Sequence, residues 1–145
     1  MFRSDSADSE RREYVTEVLD EAKWPNVLQT ITRLLRYKGV DVVNAEFGFV
    51  LQRELRGEKQ MEDATVPLDS LPSFIQRGLD EGTIEWAENS NFTFSPIGMD
   101  LKFMLCNDAD LHFYSGDTAL LLEVSRALSS LGVKVFESGK PVLTG

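Results

Sequence analysis

The chain has 145 residues, of which 42% are hydrophobic and 27% are charged, and its net charge is −9. This composition is typical of a globular protein and excludes disordered, collagen-like and fibrous classes. The single cysteine, Cys106, excludes an intrachain disulfide and favours a cytoplasmic location. The apolar runs are far shorter than the roughly 20 residues that cross a bilayer, and the polar start has no signal-peptide pattern. We therefore expect neither secretion nor a membrane span.

The negative charge is concentrated in the C-terminal half. Residues 78–145 hold ten acidic and four basic side chains, whereas residues 33–59 hold four acidic and six basic ones. An acidic surface repels nucleic-acid phosphates and attracts basic protein surfaces. The charge therefore favours a basic protein partner and argues against nucleic acid. The side chains that a nucleic acid would have to use are arginines, namely Arg33, Arg36, Arg53, Arg56 and Arg77.

Helical spacing of apolar residues dominates the N-terminal part of the chain. We expect a loose tail over 1–8 and a single domain over 9–145. Pro25 ends a first predicted helix, Gly39 ends a second, and Asp41 is the N-cap of a third. The three apolar stripes are Tyr14, Val15, Val18, Leu19 and Ala22; Val27, Leu28, Ile31, Leu34 and Leu35; and Val43, Phe47, Val50, Leu51 and Leu55.

The middle of the chain combines helical and strand patterns. A short helix is predicted over 71–81, and alternating residues on both sides of 88–91 predict a β-hairpin. Ser95-Pro96 allows two continuations. The pair is a helix start signal for residues 96–106, whereas alternation of Leu101, Phe103 and Leu105 is typical of a strand. The start signal favours the helix.

The C-terminal part of the chain predicts a β-α-β unit over 108–140. Its parts are a strand at 111–114, a helix capped by Ser115 or Asp117, and a strand at 133–137. The expected fold class is therefore α+β, with an N-terminal helical bundle and β-hairpin over 26–106, followed by this unit.

A resemblance to a known family follows from the segment that contains the hairpin. Its residues are Gly82-Thr83-Ile84-Glu85, a turn at 89–91, and Phe94-Ser95-Pro96-Ile97-Gly98-Met99-Asp100-Leu101. With the predicted helices, residues 26–106 resemble a winged-helix domain, and this implies a winged-helix shape. The helix in the recognition position carries Asp69, Asp80 and Glu81 against Arg77. Because such a helix repels phosphates, the resemblance favours protein interaction over nucleic-acid binding.

One dense group of possible metal ligands stands before the strand at 111–114. Asp108, Asp110 and His112 alternate, so oxygen and imidazole donors there could meet one divalent ion. The same residues, after Asn107, also have the composition of a turn. No Ser-His-Asp set, phosphate loop or zinc spacing is present in the sequence, and no cofactor is predicted.

Two apolar side chains widen the apolar faces of their predicted helices. These are Phe49 in the third helix and Leu122 in the last one. Such width indicates either burial on two sides or an interface, so a homodimer is possible. The leading functional hypothesis is a non-enzymatic interaction or regulatory module with an acidic surface, which binds a basic protein or itself. The alternatives are a metal-binding protein or metal-dependent enzyme centred on Asp108, Asp110 and His112, and a winged-helix nucleic-acid binder.

Overall fold

The structure is a computed structural model that describes residues 11–47, 64–81, 92–105 and 109–143. A one-turn 3₁₀ helix at Leu68–Ser70 lies between the third described strand and the second α-helix. The described elements, in chain order, are β1 (Arg12–Thr16), α1 (Trp24–Tyr37), β2 (Val42–Phe47), β3 (Ala64–Pro67), α2 (Leu71–Glu81), β4 (Phe92–Pro96), β5 (Lys102–Leu105), β6 (Leu111–Ser115), α3 (Thr118–Ser129), β7 (Val135–Glu137) and β8 (Lys140–Pro141). Within these elements, no helix is long and apolar enough to cross a membrane.

All eight described strands form one antiparallel sheet in the order β3-β2-β4-β5-β6-β1-β7-β8. β6 and β7 both pair antiparallel with β1, so they run in the same direction with β1 between them. The buried side chains of the three helices join those of alternate strand residues in one core cluster. The helices therefore cover one face of the sheet, and we call the opposite face the open face.

Helix α1 shows how local sequence sets an element and its end. Pro25 occupies the first turn, where its missing N–H costs no hydrogen bond. The stripe from Val27 to Leu35 is buried against the sheet. Gly39 then adopts φ +88°, and its N–H donates to the Arg36 carbonyl while the N–H of Val40 donates to the Leu35 carbonyl. This hydrogen-bond pair is a Schellman motif, and it ends the helix before β2.

A row of aromatic side chains forms the centre of the covered face. Phe94, Phe103, Phe113 and Tyr14 are direct cross-strand neighbours on β4, β5, β6 and β1. Phe94 and Phe103 stack with ring centroids 4.9 Å apart, and Tyr14 meets Phe113 edge to face at 5.7 Å. None of the four is more than 3% exposed. Such pairs are the unit of sheet stabilisation, so this aromatic row fixes the register of four strands.

The predicted α+β class with an N-terminal helical bundle is wrong, since the fold is mainly β. The segment predicted as the first helix contains β1, and the segment predicted as the third helix begins with β2. The reason is geometric. Val43 and Phe47 are four residues apart, a spacing that places two side chains on one side of a helix and also on one face of a strand. In β1 the β-branched Val15 and Thr16 favour the extended form, with Tyr14 and Thr16 facing the core.

The helix predicted over 96–106 is also wrong. Pro96 ends β4, where it pairs with Val43, and Gly98 at φ +90° turns the chain into β5. The period-2 alternative for this segment is the observed one. Among the described residues of 26–106, the helices are α1, α2 and the 3₁₀ turn, so the winged-helix shape is not formed.

Other predicted elements are present at their expected places. These are the helices at α1 and α2, and the strand, helix and strand at β6, α3 and β7. Asp117 is the observed N-cap of α3, and its side chain accepts from the N–H of Leu120 at 3.3 Å. The predicted tail over 1–8 and the hairpin tip at 88–91 lie outside the described residues.

The aromatic row gives a stability prediction. Phe113→Ala removes a fully buried ring that contacts both Phe103 and Tyr14, so we expect it to lower the free energy of unfolding by about 3–5 kcal/mol. Urea denaturation measures this change. Tyr37→Ala is the matched control, because Tyr37 is 85% exposed and its loss should cost about 0.5 kcal/mol or less. Equal effects of the two substitutions would contradict the assignment of the row.

Tyr14 predicts a loss of stability at high pH. Burial raises the pKa of Tyr14, Glu137 raises it further, and Arg12 partly offsets this. The folded state therefore keeps the phenol proton at a pH where the unfolded chain, with a pKa of about 10, has lost it. The stabilisation is complete below about pH 10 and is lost as the pH rises through the folded-state pKa. Urea unfolding at mildly and at strongly alkaline pH measures this loss. Between the two pH values, the free energy of unfolding should fall less for Tyr14→Phe than for the wild-type chain. An equal fall in the two proteins would refute the burial argument.

Candidate functional site

The open face carries one continuous row of side chains across the sheet. Each member pairs directly with the next on the neighbouring strand. Most members are half-buried, in contrast to the fully buried aromatic row behind them. We call it the central row, and its members are Thr93, Met104, His112, Val15, Phe136 and Pro141.

His112 is the polar centre of this row and lies between two carboxylates. Its Nδ1 contacts Oε2 of Glu13 on β1, and its Nε2 is 3.0 Å from Oδ1 of Asp110, which precedes β6. Oδ1 of Asp110 is buried, and its contact with the imidazole lacks the alignment of a hydrogen bond. Tyr114 stacks beside the imidazole with ring centroids 6.4 Å apart and an interplanar angle of 17°. The imidazole is thus occupied on both nitrogens.

Charges at the strand ends are largely paired. Arg11 forms an ion pair with Asp100 at 2.8 Å, and Arg12 donates two hydrogen bonds of 2.6 Å to Glu137. The Glu137 carboxylate raises the pKa of the Arg12 guanidinium through the hydrogen bond and its charge. Lys102, by contrast, has no ion-pair partner among the described residues.

Two shallow hollows flank Glu13 on the open face. One has a volume of about 450 Å³ between Thr93, Met104 and Tyr114, and the other has about 460 Å³ between Val15 and His112 and the turn after β7. Both are also lined by Arg11 and Glu13. The open face is therefore contoured, with apolar walls and charged rims.

The predicted metal ligands are only partly described. Asp110 and His112 lie together, whereas Asp108 is outside the described residues. In the described ranges no group of three or more His, Cys, Asp or Glu side chains is placed to hold a metal ion. Glu13 does not complete such a group, because it contacts the opposite nitrogen of the ring from Asp110. The metal site remains a prediction that this arrangement does not favour.

The predicted nucleic-acid residues do not form a described patch. Arg33 and Arg36 are exposed on α1, Arg77 is exposed on α2, and Arg53 and Arg56 lie outside the described residues. Arg36 forms an ion pair with Asp69. This pairing leaves less positive charge on α1 for phosphate.

Of the two predicted interface residues, the structure describes Leu122 but not Phe49. Leu122 on α3 is partly buried and packs against the core cluster, so at least part of this side chain contributes to the core. Phe49 lies outside the described residues. The sequence patterns do not identify the open face or Glu13, because the helical spacing of Tyr14, Val15 and Val18 predicts a helix where β1 lies. The run of Tyr14, Val15 and Thr16, an aromatic residue followed by two β-branched ones, is the signal that would have found it.

Comparison with known proteins gives no assignment. No protein-family model, curated protein or solved structure matches the chain. The candidate site is therefore defined by its own residues and geometry.

The geometry around His112 predicts weak or no metal binding. A metal at Nε2 would gain two described ligands, Asp110 and His112, whereas structural zinc takes about four and calcium about six to eight. We expect no saturable heat in calorimetric titrations with Zn²⁺, Mg²⁺ or Mn²⁺ at neutral pH. Stoichiometric binding that disappears in both His112→Ala and Asp110→Asn would contradict this expectation and support the metal hypothesis.

Proposed function

We propose that this chain is a non-enzymatic protein-interaction module that binds another protein through the open face of its sheet. The central row is the observation that carries the proposal. It places Met104, Val15 and Phe136, half-buried, on a face that the described helices do not cover. Val15 and Phe136 are direct neighbours, and His112 stands between them and Met104. Apolar side chains flanked by polar groups on one surface are typical of protein-binding sites.

The rigidity of this face supports the same proposal. Its side chains stand on paired strands whose register is set by the aromatic row on the other side. Binding surfaces built on strands lose little conformational entropy when a partner docks. The face therefore needs no rearrangement before it binds.

The chemistry around His112 argues for binding rather than catalysis. A general base needs a free ring nitrogen within reach of substrate, and both nitrogens of His112 contact carboxylates. Asp110 and Glu13 instead hold the ring in place within the central row. This arrangement places the imidazole at the centre of the face with a carboxylate at each ring nitrogen.

The charge of the chain supports a basic partner, and its cysteine content supports a cytoplasmic setting. The chain's net charge of −9 attracts basic proteins at long range. The described residues carry 14 acidic and 11 basic side chains, so much of the excess lies elsewhere in the chain. The proposed setting is the cytoplasm, in keeping with a single cysteine.

Affinity capture from a lysate of the source organism tests the proposed surface. The baits are the wild-type chain, Met104→Lys on the open face, and Tyr37→Lys as a matched control at an exposed position of helix α1. We expect the wild-type and control baits to capture a partner in a fixed ratio to the bait. The amount captured by Met104→Lys should be at least about tenfold lower, because this substitution places a charge in the central row. Equal capture by all three baits, or capture of nothing including the chain itself, would refute the proposal.

A further inference from the structure

The sheet ends in two edge strands, β3 on one side and β8 on the other, and no described strand lies beyond either of them. The outer side of an edge strand presents backbone N–H and C=O groups that can pair with a strand of another chain. The two edges are short, with four residues in β3 and two in β8, and each contains a proline. Pro67 and Pro141 are both exposed to solvent. The direction of each proline nitrogen therefore bears on whether these edges can pair.

Hydrogen bonds on both sides of β2 give the direction of the Pro67 backbone. In an antiparallel pair, residues that exchange hydrogen bonds alternate with residues whose N–H and C=O groups point away from each other. The N–H of Leu68 donates to the Asp41 carbonyl at 2.9 Å. Pro67 and its partner Val42 are the next pair along, so their backbone groups point away from each other. The carbonyl of Val42 accordingly accepts from the N–H of Ile97 on the β4 side. The nitrogen of Pro67 therefore faces the outer edge of the sheet.

The same alternation gives the direction of Pro141 at the other edge. The N–H of Val142 in this hairpin donates to the Val135 carbonyl at 2.9 Å. Pro141 and its partner Phe136 are the next pair along, so their backbone groups point away from each other. The nitrogen of Pro141 thus also faces outward. Both edges of the sheet carry a proline in the same orientation.

A proline in this orientation opposes strand addition in two ways. It has no N–H to donate, and its ring fills the place where the carbonyl of an incoming strand would accept. Of the two residues of β8, Pro141 is the one that faces outward, and in β3 the outward residues are Thr65 and Pro67. A strand laid on either edge would leave a carbonyl without its donor, which is unfavourable once water is excluded.

We propose that Pro67 and Pro141 are edge-blocking residues, which prevent both edges of this sheet from pairing with a strand of another protein or of a second copy of this chain. Lys140, exposed beside Pro141, adds a charge that opposes pairing at the same edge. The inference concerns the edges and does not depend on the function proposed for the open face. It directs contacts with other proteins away from backbone pairing at the edges.

Analytical ultracentrifugation of the full chain tests each edge by giving it back an N–H. The variants are Pro67→Thr and Pro141→Thr. Pro25→Thr is the matched control, because Pro25 is an exposed proline in the first turn of α1. We expect the association constant of each edge variant to be at least about tenfold higher than that of the wild-type chain, since a two-fold edge contact gains the added hydrogen bond twice. Pro25→Thr should associate like the wild-type chain.

Further measurements separate edge pairing from misfolding. Thermal melts establish that each variant is folded at the temperature of the experiment, and Pro67→Ala restores the same N–H with a smaller side chain. Amide hydrogen exchange locates the contact, and the associated Pro67→Thr chain should gain protection at residues 64–67. The double variant Thr65→Pro/Pro67→Thr moves the proline to the other outward position of β3, so it should associate like the wild-type chain.

The outcomes are distinct for the edges and for the open face. An edge variant that associates no more strongly than the wild-type chain overturns the role of its proline. Association of Pro67→Thr without protection at residues 64–67, or its persistence in the double variant, overturns the inference as well, because another surface would then be responsible. Met104→Lys on the open face should leave the association of Pro67→Thr unchanged. Loss of that association in the combined variant would place the contact on the open face and contradict edge pairing.

Discussion

The stacking of Phe94, Phe103, Phe113 and Tyr14 across four strands is the constraint on which the other features depend. These rings are almost completely buried and are direct cross-strand neighbours. A slip of one residue in any of these pairings would turn a ring towards solvent and a polar or half-exposed side chain towards the helices. The hydrophobic effect therefore selects one register. The same register sets which residues stand next to one another on the open face.

The candidate site is consequently a product of tertiary structure. Glu13 and His112 are 99 residues apart in the chain, yet they meet because β1 inserts between β6 and β7. Neighbouring contacts show how firmly β1 is held. Thr16 accepts from the N–H of Leu111, and the N–H of Leu19 donates to the Ala109 carbonyl. A surface assembled in this way exists only when the strands are paired in this order.

Sequence patterns predicted elements well where two independent signals agreed. Helix α1 combines an apolar stripe with Gly39 at its end, and α3 combines a stripe with Asp117 as its cap. Patterns failed where one spacing suited both helix and strand, as at Val43 and Phe47, and where a local start signal at Ser95-Pro96 was outweighed by strand pairing. Pairing partners such as Phe94 and Phe103 are a non-local property that periodicity within one segment does not contain.

The candidate site was less predictable than the fold, for a related reason. His112 and Asp110 were identified as a cluster because they are close in sequence, but their partner Glu13 and the central row come from distant strands. Their setting also comes from the fold, because each ring nitrogen of His112 faces a carboxylate, Glu13 at Nδ1 and Asp110 at Nε2. Residue types at short spacing predict where polar groups gather. The sheet decides whether those groups converge on a ligand or satisfy one another.

The net charge of the chain and its individual ion pairs act over different distances. The net charge of −9 sets a field that extends roughly 8 Å at physiological salt, within which two copies repel and a basic protein is attracted. At the rim of the open face, ion pairs such as Arg11 with Asp100 act only at short range. Salt screens this long-range field, whereas the burial of apolar side chains such as Met104 and Val15 does not depend on it. A partner that binds the proposed surface would therefore be held mainly by short-range packing once the field is screened.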